Sequence, residues 1–97
     1  MRLKNTLQNK LEGSTIALQL IAFLASDEER LERCSALSGL GLNDLKAGAQ
    51  NPVFLGFMLD YALQDESLIL AFSESQQISP QSLATARRQL PGANDDF

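Results

Sequence analysis

The sequence contains no histidine, no tryptophan and a single cysteine, Cys34. Histidine is the commonest general base and a frequent metal ligand, so its absence excludes Ser–His–Asp and Cys–His nucleophilic sites and Cys/His zinc sites within this chain. The sequence also has no G-x-G-x-x-G pattern, no P-loop and no EF-hand loop. We therefore predict no catalytic residue, no metal ion and no cofactor.

Residue types typical of β-strands are scarce, because the chain has three threonines, four isoleucines, one valine and only 6% aromatic residues. Leucine, alanine, glutamine and glutamate dominate, and all four favour helices. No apolar run approaches the roughly 20 residues that a bilayer-spanning helix needs. We therefore expect helices throughout and no membrane association.

The amino terminus is basic and is followed by an apolar stretch over 16–25, a pattern that partly resembles a secretory signal. Glu12 and Gln19 interrupt the pattern, and Phe23 stands where a small residue is needed before a cleavage site. A lone cysteine gives no indication of an oxidising compartment either. We therefore expect a cytoplasmic location.

Two segments, 14–25 and 52–63, are apolar on nearly every side of a helix and are expected to lie at the centre of the core. The fold prediction is all-α: one compact bundle of five to six short helices around these two. We expect one domain over 1–92 and a frayed acidic tail over 93–97.

Leucines spaced four apart, at Leu3, Leu7 and Leu11, indicate an amphipathic helix near the amino terminus. Gly13 either ends that helix or lies inside a longer one that continues to Ala25, and the sequence leaves both readings open.

Capping residues predict where the other helices begin and end. Gly39 is the expected stop of a helix over 27–38, which carries Leu31, Cys34 and Leu37 on one face. Pro91-Gly92 is expected to end the last helix. The expected amino-terminal caps are Ser26, Asn43, Asn51 (before Pro52), Asp65 and Ser79 (before Pro80).

Charge is unevenly distributed, since residues 1–10 sum to +3 and residues 11–97 sum to −7, for a net charge of −4. An acidic body repels phosphate and anionic lipid, so we do not expect nucleic acid as a partner. Residues 27–50 have the rough shape of a helix-turn-helix motif. Their second helix carries Asp44 at its start and lacks the Arg, Asn and Gln side chains that read bases.

Asp60 is the only charge in the apolar segment 52–63. We expect it to pair with Arg87 or Arg88 or to mark the solvent-facing side, and the functional alternative is an active-site acid. With Tyr61, Asp60 would form the polar part of a pocket between the two central helices. The basic pair Arg87-Arg88 favours a helix carboxyl terminus and is a candidate partner contact.

Two further clusters have a structural and a functional interpretation. The acidic run Asp27, Glu28, Glu29 and Glu32 resembles a hard-metal site, but acids are favoured at a helix amino terminus, which is the interpretation we prefer. Helically spaced Phe54, Phe57, Met58 and Tyr61 belong either to the core, which we favour, or to an aromatic groove. Cys34 is expected in the core.

Three blocks of sequence resemble a proteobacterial family of short all-helical proteins that is catalogued as a domain of unknown function. The chain differs from that family's pattern at Asn51, where Asp is commoner, and at Glu28, where Pro is commoner. The resemblance implies a short helical cytoplasmic protein and carries no activity, ligand or catalytic residue. The matching blocks are 17–25, 27–31 and 37–40, then 51–55, 59–60, 65–70 and Phe72, then 78–80 and 86–92.

The sequence therefore predicts a small non-enzymatic protein–protein interaction module, whose partner is another protein or a second copy. Its two central helices carry more apolar surface than one small domain is expected to cover. One alternative is a small-molecule binder or enzyme with its pocket between the central helices. A less favoured alternative is nucleic-acid binding through the basic amino terminus and Arg87-Arg88.

Overall fold

A computed structural model describes the backbone of residues 2–92 and the side chains of residues 13–92. Over this range the chain forms six helices and no strand, which confirms the all-α prediction. The predicted tail over 93–97 lies outside the described residues. The helices are α1 (Arg2–Ala25), α2 (Glu28–Ser38), α3 (Leu42–Gly48), α4 (Pro52–Leu63), α5 (Glu66–Gln76) and α6 (Gln81–Arg88).

Three of the predicted helix ends are confirmed. The Asn51 side chain accepts hydrogen bonds from the backbone N–H groups of Val53 and Phe54 at the start of α4. Asp65 accepts from the N–H of Leu68 at the start of α5. Gly39 adopts φ 80° and ends α2, a left-handed conformation that glycine takes without strain.

The predicted start of α2 was wrong by one residue. The cap is Asp27, whose carboxylate accepts from the N–H of Arg30 at 3.2 Å. The Ser26 hydroxyl instead donates to the carbonyl of Phe23 at 3.0 Å, in the last turn of α1. Two capping residue types stand side by side here, and the second one takes the cap position.

The predicted caps of α3 and α6 were also wrong. Gly41, not Asn43, precedes α3, and its N–H donates to the Asp44 carboxylate at 2.9 Å. The Ser79 hydroxyl lies 3.1 Å from the Ser82 hydroxyl and caps no backbone N–H. At the other end, α6 stops at Arg88, before Pro91-Gly92.

The two segments predicted to be central are central. The extensive helix–helix contacts all include α1 or α4, since α1 packs on α2, α4 and α6, and α4 also packs on α5 and α6. Within the described residues, no helix is long and apolar enough to cross a membrane. The buried core consists of Ala17, Leu20, Ile21, Leu24, Cys34, Leu45, Leu55, Met58, Leu59, Ala62, Leu68, Phe72, Leu83, Ala86 and Leu90.

Gly13 lies inside α1, so residues 3–25 form one helix rather than two. The glycine is buried against the end of α6. A Cβ atom at this position would lie 3.0 Å from the backbone oxygen of Ala86 and 2.7 Å from Oε1 of Gln89. Gly13 therefore allows α1 and α6 to approach closely.

Candidate interaction surface

Helix α4 is apolar on nearly all sides, yet one of its sides is not covered by the rest of the chain. Val53 is 61% exposed and Phe57 is 46% exposed, and the half-buried Tyr61 follows at the same spacing of four. Residues spaced by four lie on one side of a helix. We call Val53, Phe57 and Tyr61 the outer stripe of α4.

The aromatic cluster expected from the sequence is divided between the core and the surface. Met58 is fully buried, while Phe54 is half-buried and its ring centroid lies 6.2 Å from that of Phe57. The Phe54 ring packs on α3 at Gly48, where a Cβ atom would overlap the ring. Phe54 therefore supports Phe57 from the side and leaves its ring accessible.

The outer stripe ends in a cleft of about 540 Å³ between α2, α4 and α5. Leu37 is 65% exposed and borders this cleft, so it adds an apolar side chain from α2 to the surface of α4. The sequence placed Leu37 on one face with Leu31 and Cys34 but did not indicate that it is exposed. The cleft is lined by Arg33, Leu37, Tyr61, Gln64, Asp65, Glu66 and Ser67.

Tyr61 connects this cleft to the core. Its pKa is raised above the ordinary value of 10.0, mainly because burial disfavours the phenolate. The Cys34 thiol and the Asp65 carboxylate act in the same direction, and Arg33 opposes them. Cys34 itself is a free, fully buried thiol, which confirms its predicted place in the core. At neutral pH the Tyr61 hydroxyl is therefore a hydrogen-bond donor.

Asp60 forms a structural ion pair beside the outer stripe. Its Oδ1 accepts from Nε of Arg87 at 2.6 Å, and Nη1 of Arg87 also donates to the carbonyl oxygens of Leu90 and Pro91. The pair joins α4 to the segment that follows α6. One of the interpretations drawn from the sequence, pairing with Arg87, matches this geometry.

The residues predicted as site candidates do not form one site, although two of them, Asp60 and Arg87, are paired. Asp60 is held by Arg87, whereas Tyr61 lines the cleft toward α2 and α5. The Arg87 side chain is only 11% exposed, and its Nε and Nη1 atoms donate hydrogen bonds within the chain. Arg88 is exposed, and its Nη2 donates to the Thr85 hydroxyl at 3.4 Å. Their role as partner contacts, and the pocket role of Asp60 and Tyr61, remain predictions.

Acidic groups border the outer stripe and its cleft. Asp65 and Glu66 line the cleft together with Arg33, which is paired with Asp65 at 3.4 Å, whereas Asp60 is paired with Arg87. A neighbouring cleft of about 570 Å³ adds Asp27 and Glu29 together with Arg30. No three His, Cys, Asp or Glu side chains within residues 13–92 are grouped to hold a metal ion.

A further cleft, of about 400 Å³, lies between α1 and α6 and has no charged residue in its lining. Its walls are hydroxyl and amide groups with a few apolar side chains, so they offer no acid, base or thiol for catalysis. The lining consists of Thr15, Ile16, Gln19, Ile78, Ser79, Gln81, Ser82, Thr85, Ala86 and Gln89.

Comparison with known protein families gives a match to the family described as "Protein of unknown function (DUF3572)", over residues 11–93. Neither the curated proteins nor the solved structures contain a match to this chain. The family match spans α2 to α6 and most of α1, and so includes the outer stripe of α4. The chain therefore belongs to the DUF3572 family.

Proposed function

We propose that this protein is a non-enzymatic protein–protein interaction module, with the outer stripe of α4 and Leu37 as its contact surface. The observation that carries the proposal is the exposure of Val53 and Phe57 along the side of α4 that leads to the half-buried Tyr61, whose cleft is also lined by the exposed Leu37. Single exposed apolar side chains are common on protein surfaces, but neighbouring ones that border a cleft are typical of interaction sites.

The composition of this surface fits that role. Aromatic side chains are enriched in protein interfaces, and polar groups usually surround them. Here Phe57 and Tyr61 are the aromatic residues of the surface, and the polar Gln64 and Glu66 line the same cleft as Tyr61. The free, buried thiol of Cys34 is compatible with a reducing compartment, and we propose a cytoplasmic location as well.

Site-specific photo-cross-linking in the cells that make the protein tests this proposal. A photoreactive phenylalanine analogue replaces Phe57, and in the control chain it replaces Leu70, a leucine of α5 that is 54% exposed and lines none of the three clefts. We expect a discrete cross-linked protein, identified by mass spectrometry, from position 57 and not from position 70. Equal cross-linking from both positions, or none from position 57, would contradict the proposal.

A further inference from the structure

We infer that the outer stripe of α4 is occupied by residues 2–11 of a second copy of this chain, so that two copies each place an amino-terminal helix on the other. The inference rests on the proposed function, because it names the partner of the same surface. It follows from three properties of the chain: its charge, the spacing of its apolar residues and the continuity of α1.

Charge complementarity favours this occupant. Residues 1–10 carry Arg2, Lys4 and Lys10 and no acid, for a sum of +3. The cleft at the end of the outer stripe and the cleft beside it carry four acids, two more than their two bases. Asp60 is not counted, because it is already paired with Arg87. The acids are Asp27, Glu29, Asp65 and Glu66, and the bases are Arg30 and Arg33. Opposite charges around an apolar contact speed up association and fix its orientation. An anionic ligand would be repelled by the same surface.

The apolar spacing of the two segments is the same. The outer stripe repeats every four residues at Val53, Phe57 and Tyr61, and the sequence of the amino-terminal segment repeats every four at Leu3, Leu7 and Leu11. Ridges of residues four apart pack into the matching grooves of a second helix, which is the commonest form of helix packing.

The continuity of α1 determines which copy supplies the segment. Residues 2–11 belong to the single helix Arg2–Ala25, which packs on the inner side of α4, whereas the outer stripe faces solvent. A continuous helix cannot fold back to the far side of α4, so the segment has to come from another copy. Because the segment is already helical, docking loses little conformational entropy. Two reciprocal contacts close a twofold dimer.

Sedimentation equilibrium of the full chain at low salt tests the inference, and wild type is expected at twice 10.6 kDa. Phe57→Gln should raise the dimer dissociation constant about tenfold or more, as loss of an interface anchor does. Replacing Arg2, Lys4 and Lys10 together by Glu should also raise the dimer dissociation constant. High salt should raise it too, because salt screens the charges.

Leu70→Gln is the matched control and should leave the dimer dissociation constant unchanged. Far-UV circular dichroism checks that each variant is folded, and Val53→Gln replaces Phe57→Gln if the latter unfolds.

A mixing experiment separates this arrangement from other dimers. The Phe57→Gln chain keeps its amino-terminal helix, and the charge-reversed chain keeps its outer stripe. When mixed, they should form a one-to-one complex through one intact contact, although neither dimerises alone. A monomeric wild type, a dimer that survives charge reversal, or a mixture that stays monomeric would overturn the inference. If position 57 cross-links a different protein while the chain is monomeric, the inference fails and the proposed function stands.

Discussion

The buried guanidinium of Arg87 holds together α4, α6 and the residues after α6, through Asp60 and the carbonyl oxygens of Leu90 and Pro91. Arg87→Ala is expected to lower the free energy of unfolding by about 2–3 kcal/mol, because it removes hydrogen bonds from a charged group and the packing of its stem. Arg88→Ala, at the exposed neighbour, should change it by less than about 0.5 kcal/mol. Urea denaturation measures both. Equal effects of the two substitutions would show that Arg87 has no such structural role.

The titration of Tyr61 makes the stability of the folded protein depend on pH in the alkaline range. Burial raises its pKa above 10.0, so the unfolded chain loses the phenolic proton first as the pH rises. The stability that the neutral phenol contributes is therefore complete below pH 10.0 and is lost as the pH rises through the folded-state pKa. Tyr61→Phe should remove this part of the pH dependence.

The pKa of Tyr61 can be measured directly, because the chain has one tyrosine and no tryptophan. The ultraviolet absorbance of tyrosinate should show a midpoint above 10.0 in the native protein. In denaturant the midpoint should return to the ordinary value of about 10. A native midpoint at or below the denatured one would contradict the burial of this hydroxyl.

At the scale of the helices, the sequence signals at Asn51, Asp65 and Gly39 were confirmed. The signal at Ser79, which precedes a proline as Asn51 does, was wrong, because the Ser79 hydroxyl contacts Ser82 and caps no backbone N–H. Ser26 stands beside a second capping residue, Asp27, which takes the cap position. Gly41 precedes α3 without a capping side chain, and its N–H donates to the Asp44 carboxylate, a contact that the residue type of Gly41 does not reveal. The capping propensity of a residue type alone does not determine which of two residues takes the cap position.

Gly13 illustrates a packing contact that the sequence could not reveal. A glycine is expected to weaken a helix, and Gly13→Ala would normally stabilise one by nearly 1 kcal/mol. Here we expect a loss of about 1–3 kcal/mol, because the new methyl group meets the backbone oxygen of Ala86 and would separate α1 from α6. Gly41→Ala is the control, since its Cβ would meet no atom closer than 4.0 Å. Thermal unfolding compares the two, and a more stable Gly13→Ala protein would show that the contact is not tight.

The position of the proposed interaction surface was only partly predictable from the sequence, for a physical reason. A helix with polar and apolar sides shows in its sequence which side faces the core, but segment 52–63 is apolar on nearly every side. The sequence indicated that the chain has more apolar surface than its core covers, but it did not indicate where that surface lies. The packing of α4 on α1, α5 and α6 determines that Val53 and Phe57 stay outside.

For the molecule as a whole, charged and apolar residues occur together in two separate regions. The basic, leucine-bearing segment lies at one end of the chain, and the acidic side with the exposed apolar residues belongs to α2, α4 and α5. We therefore propose that this side of the chain binds basic helices rather than phosphate-bearing polymers. Association through this side is therefore expected to weaken as salt is added.

Cross-linking from position 57, with position 70 as control, tests most directly whether the outer stripe of α4 contacts another protein. Our account predicts a discrete cross-linked product from position 57 alone, and its mass will identify the partner as a second copy or as a different protein. If position 57 gives no product, or the same products as position 70, the outer stripe is ordinary surface and the account is contradicted.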